Sequence, residues 1–145
     1  MDYYLIKYLH LLGVLGVVAT VAMESVLVKD KVSNHTMKQL SKIDAVYGLS
    51  SILVLLGGLG LWFWVGKPSE FYTSNLLLHI KIGLFVIVGL LSIYPTVFFI
   101  KNRKSDLDEI IIPKLILRLI YIELLILILI PFLAVFVAEG KTSIW

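Results

Sequence analysis

An all-α membrane protein is predicted by three features of this sequence: an antiparallel four-transmembrane-helix bundle with both termini outside. The 145-residue chain is 59% hydrophobic and 16% charged, and its mean hydropathy is +0.97. A soluble domain carries about 25% charged residues. Four stretches each reach the roughly 20 apolar residues that a bilayer crossing requires. Basic residues collect on one set of loops, which is the mark of a cytoplasmic side. The spans fall at about 3–28, 40–65, 73–100 and 110–137, so that 1–145 forms a single transmembrane domain.

The first span opens on MDYYLIKYLH, which lacks a basic segment before its apolar run. That run continues past Thr20 to Val28, too long for a signal-peptide core, so it is expected to stay as a mature helix. Lys7, His10, Gly13, Val17, Thr20 and Glu24 recur at spacings of three and four and share one face. The second span places Asp44, Tyr47, Ser51 and Gly58 on one face and carries GGLG at 57–60. The third aligns His79 with Gly83 and Val86, and Pro95 is expected to bend it. The fourth has its helical body after Pro113, sets Lys114, Arg118 and Tyr121 on one face, and is expected to kink at Pro131. Short connections favour up-down packing, and the charged loop KNRKSDLDE reads as mobile.

Charge sets the orientation. Lys29, Lys31, Lys38, Lys42, Lys101, Arg103, Lys104 and Lys114 belong to the loops after the first and third spans, against Lys7, Lys67 and Lys141 on the other side. The basic loops are therefore assigned to the cytoplasm, in a bacterial inner membrane. Tyr3, Tyr4, Trp62, Trp64, Phe71, Tyr72 and Trp145 form the aromatic belt of the outer face. A net charge of +3 reflects those loops rather than a nucleic-acid partner. With no cysteine in the chain, disulfides, thiolate metal sites and cysteine nucleophiles are excluded.

An ionisable residue inside a span costs about 2.5–3.5 kcal/mol on insertion scales, so each needs a partner or a task. His10 and His79 lie roughly 10 and 8 Å below the same surface, at 1.5 Å per residue. The first and third helices are diagonal in an up-down bundle, about 11–14 Å apart if neighbouring axes are 8–10 Å apart. Two imidazoles on one metal need about 12 Å between Cα atoms. A haem b iron held between His10 and His79 satisfies both distances. Gly13, Gly58 and Gly83 leave room for the macrocycle, and Lys7, Lys67 and Lys81 supply charge for its propionates. Lys81 is turned about 200° from His79, so both cannot face the centre; it either snorkels to the outer surface or forms a structural ion pair, or it reaches a propionate round the edge. The bland alternative for each histidine is a hydrogen bond to a neighbouring helix. Copper and zinc fit less well, since Met1, Met23 and Met37 are scattered and no third ligand sits at that depth.

A second polar group, Glu24, Asp44, Tyr47 and Arg118 with Lys42 and Lys114, lies toward the cytoplasm. It reads as interhelical ion pairs or as a site of proton uptake or substrate binding. Glu123 is set apart, facing a partner subunit or held protonated.

Several motifs carry a resemblance. LIKYLHLLG (5–13), the spacing from Tyr47 to Gly57, and HIKIGLFV (79–86) resemble HemJ-type and CopD-like bacterial membrane proteins. A branch of predicted membrane proteins of unknown function is more similar still, through His10, Glu24, Asp44, Tyr47, Gly48, Phe71, Tyr72, His79, Lys81 and the run Ser92 to Thr96. The HemJ resemblance implies haem b, protoporphyrinogen oxidation, ligand roles for His10 and His79, and a functional Lys81. The HemJ type has a Pro-Arg pair where this chain reads AMESVLVK (22–29), which separates haem binding from the oxidase activity.

The expected function is electron transfer, or oxidation of a quinol or porphyrinogen, by a haem-binding membrane protein. Whether it is an enzyme is left open. The alternative is a cofactor-free accessory subunit of a larger membrane complex, docking a partner or a second copy through ILILIPFLAVF (126–136) in the fourth span. A transporter using Glu24, Asp44 and Arg118 is the third class.

Overall fold

A computed structural model describes residues 2–65, 70 and 73–139. Its elements are α1 (Tyr3–Leu27), β1 (Lys31–Ser33), α2 (Asn34–Gly60), a π-helical turn (Leu61–Val65), α3 (Leu76–Asn102), β2 (Glu109–Ile111) and α4 (Lys114–Ala138). All four helices are long and apolar enough to cross a membrane. Lys67, Phe71, Tyr72, Lys141 and Trp145 lie outside the described residues.

The helix starts follow from side-chain caps on orphan amides. Asp2 accepts from the Tyr4 amide, Ser33 from Thr36 and Asn75 from Leu78. The Ser33 cap explains why α2 begins about six residues before the apolar run suggested: NHTMKQ (34–39) is polar but well capped, and Met37 inside it and Leu40 just after it are buried. Pro113 precedes the first residue of α4, so the helix begins after that proline, as expected. Pro95 and Pro131 both sit inside helices.

The charged connections hold a feature absent from an all-helical expectation. β1 pairs antiparallel with β2, with Lys31 opposite Ile111, Val32 opposite Ile110 and Ser33 opposite Glu109. Val32 and Ile110 point inward and are buried, while their neighbours are exposed, the period-two pattern of a strand with one covered face. The Asn34 side-chain amide donates to the carbonyls of Ser105 and Leu107. This clasp joins the two basic loops directly.

Packing runs round a ring. α1 packs most extensively on α2 and α3 on α4, with thinner contacts between α1 and α4 and between α2 and α3. α1 and α3 therefore lie across the bundle from each other. The larger core cluster is built from Val17, Val21, Met37, Leu40, Val88, Phe99, Ile116 and Ile120. A smaller one joins Leu77 and Leu78 to Leu133 and Val137. Many leucines and isoleucines on the outer faces are exposed, as helices facing lipid tails require.

Candidate functional site: two polar stations in the bundle

Close helix approach creates the first station. A Cβ placed on Gly57 would stand 2.8 Å from His10 Cβ and 2.9 Å from its Cα. One placed on Gly13 would stand 2.9 Å from the Val54 amide nitrogen. These glycines let two backbones touch, as small residues do between membrane helices. Gly13 is therefore filled by α2 and offers no space for a macrocycle. Gly58 serves the His10 ring itself: its added Cβ would meet Cε1 at 3.3 Å.

Held there, His10 donates from Nδ1 to the Val54 carbonyl at 3.0 Å. Val54 lies on α2, one turn before Gly58. With Nδ1 protonated, Nε2 carries the lone pair. The Lys81 side chain is half-buried and close enough to His10 for their charges to interact.

His79 goes elsewhere. It is exposed, donates from Nε2 to the Thr73 carbonyl at 2.7 Å, and meets Trp62 edge-on with ring centroids 6.0 Å apart. Trp62 in turn donates to the Thr73 hydroxyl at 3.0 Å. The reason is the rotation of α3. Its buried positions are Leu77, Leu78, Val88, Pro95 and Phe99, and Lys81, four and three residues after the two leucines, shares that face with Ser92 by helical spacing. His79, Gly83 and Val86 are all exposed, and a Cβ on Gly83 would meet nothing within 4 Å. The face expected to look inward looks outward, and Lys81 rather than His79 approaches His10.

The second station lies near the clasp. Glu24, Asp44 and Glu123 are 3%, 6% and 2% exposed. The carboxyls of Glu24 and Asp44 face each other at hydrogen-bonding range, and Asp44 also meets Thr96. Glu123 stands close enough to both for charges to interact. Tyr47 is buried beside them and faces Ser92. Arg118, expected in this group, is exposed, as are Lys42 and Lys114. Glu123 takes its place because the buried stripe of α4 runs through Ile116, Ile120, Glu123 and Leu127, spaced four, three and four. That spacing was present in the sequence, but α4 is apolar on every side and the stripe did not stand out. Tyr121 sits at the rim, its hydroxyl donating to the Ser25 carbonyl at 3.4 Å.

For a haem, the fit is one-sided. A metal-ligating histidine ordinarily gives its other ring N–H to a carbonyl or carboxylate, and His10 has that arrangement. His79 and the three glycines do not complete a two-histidine pocket around it. No group of three acidic, histidine or cysteine side chains suited to a metal ion occurs among the described residues.

A family model described as a predicted membrane protein, DUF2214, matches residues 3–142. No curated protein and no solved structure matches the chain. The comparisons do not extend the resemblance to HemJ-type or CopD-like proteins.

Proposed function

We propose a haem-binding redox function for this chain, which belongs to the DUF2214 family of predicted membrane proteins. The protein is a multi-pass bundle of a bacterial inner membrane that transfers electrons or oxidises a membrane-soluble substrate such as a quinol or porphyrinogen. One observation carries the reading: His10 is fixed through Nδ1 by Val54, with its Nε2 lone pair available to an iron. Haem b would supply one-electron chemistry by cycling between ferric and ferrous iron. His10 would hold it, and Lys81 would place a positive charge beside it or reach a propionate.

The helices run antiparallel in this reading. Ile6 lies by Gly60, His10 by Gly57 and Gly13 by Val54, the descending order of two oppositely directed helices. Every lysine and arginine of the clasp end, Lys29, Lys31, Lys38, Lys42, Lys101, Arg103, Lys104 and Lys114, is exposed. That concentration supports a cytoplasmic clasp and external termini.

A reduced-minus-oxidised visible spectrum tests the function, on protein purified in mild detergent after expression with ample haem. A sharp reduced α band is expected, abolished in His10→Ala and retained in His79→Ala. A flat spectrum from the wild-type protein overturns the proposal. It would favour the second reading, a cofactor-free accessory subunit, which the outward His79 and the filled Gly13 position already support.

A further inference from the structure

The carboxyls of the second station have no role in holding a haem at His10. None of Glu24, Asp44 and Glu123 forms an ion pair with a lysine, arginine or histidine among the described residues. Glu24 Oε1 and Glu123 Oε1 are fully buried and have no hydrogen-bond partner. An uncompensated carboxylate in such a place is costly, and three together more so, because like charges also repel. Four elements enclose them. α1 contributes Glu24, α2 contributes Asp44 and Tyr47, α3 contributes the uncharged Ser92 and Thr96, and α4 contributes Glu123. No cationic group faces inward from any of the four at this level: Lys42, Lys114 and Arg118 are exposed. The three carboxyls are not arranged to converge on one metal ion.

We infer that Glu24, Asp44 and Glu123 form a membrane-buried proton-binding site, in which protons take the place of the missing cations. Glu24 and Asp44 are the exchanging pair. An O–H bond breaks on one carboxyl and forms on the other across their contact, with no electron transferred. Glu123 holds its own proton and keeps the negative charge of the group low. Glu24 lies in the last turn of α1, so the site is nearer the clasp than the His10 station. Its existence does not depend on haem.

Infrared spectroscopy of the full-length protein in liposomes, titrated with pH in H2O and in D2O, tests this directly. The wild-type protein is expected to show a carboxylic acid C=O band at neutral pH that shifts down in D2O. Glu24→Gln, Asp44→Asn and Glu123→Gln should each remove a component of it. Absence of that band in the wild-type protein overturns the proposal without reference to any variant. So does a band that survives all three substitutions in samples whose helix content is unchanged. Loss of the visible haem spectrum would leave all of these outcomes unaffected.

Discussion

Gly57 and Gly83 are chemically the same residue in opposite situations, and they predict opposite results. At Gly57 a methyl group meets the His10 backbone at 2.9 Å, which cannot rotate away. Gly57→Ala is expected to cost about 1–3 kcal/mol, the range for overpacking a tight contact, seen as a lower midpoint in detergent unfolding. At Gly83 nothing lies within 4 Å, and alanine is the better helix former by up to about 1 kcal/mol. Gly83→Ala should therefore be neutral or stabilising. Equal losses in the two variants would mean that α3 presents Gly83 to the bundle after all. Lys81 belongs to the same scale. Removing a positive charge near an iron favours the ferric state, so Lys81→Ala should lower a haem midpoint potential by on the order of tens of millivolts. A potential unmoved by that substitution would make the lysine structural.

Among the elements, the β1–β2 clasp has the most to explain, because it converts two polar loops into one tie. Its anchors are Val32 and Ile110, 5% and 4% exposed, and the Asn34 side chain that reaches Ser105 and Leu107. Asn34→Ala removes those bonds and should cost about 1 kcal/mol. The effect should be local: faster amide hydrogen exchange across 105–111, with the helices unchanged. Exchange that stays slow there would show that the strand ladder holds without Asn34. The clasp also shapes α2, since the Ser33 cap that starts the helix is the last residue of β1. Helix α3 shows how a single rotation decides a site. With His79 and Lys81 about 200° apart, burial of Val88, Pro95 and Phe99 selects Lys81 and leaves His79 to Thr73 and Trp62.

At the scale of the whole molecule, the four spans enclose two polar stations at different depths. His10 with Lys81 lies toward the π-turn end, and the three carboxyls lie toward the clasp end. This polarity predicts a sidedness that labelling can read. In intact cells, a cysteine introduced by Asp2→Cys should react with a membrane-impermeant maleimide, and one introduced by His35→Cys should not; the chain has no native cysteine to interfere. The reverse pattern would turn the protein over and place the carboxyl station on the outer side.

Composition and run length by themselves determined that the chain is a four-span membrane protein, because roughly 20 apolar residues per helix is a requirement of bilayer thickness and not of packing. Periodicity sufficed where a helix had one polar face. The thread from His10 to Glu24 on α1 lies on its packed side, with Gly13, Val17, Thr20 and Glu24 buried, and so do Asp44 and Tyr47 on α2. On α3 and α4 it did not suffice. Both are apolar nearly all round, lipid accepts any of their faces, and no hydrophobic period marks the side that meets protein. Only tertiary contact decided that Lys81 turns inward instead of His79, that Glu123 joins the acids while Arg118 stays outside, and that two charged loops close into a sheet.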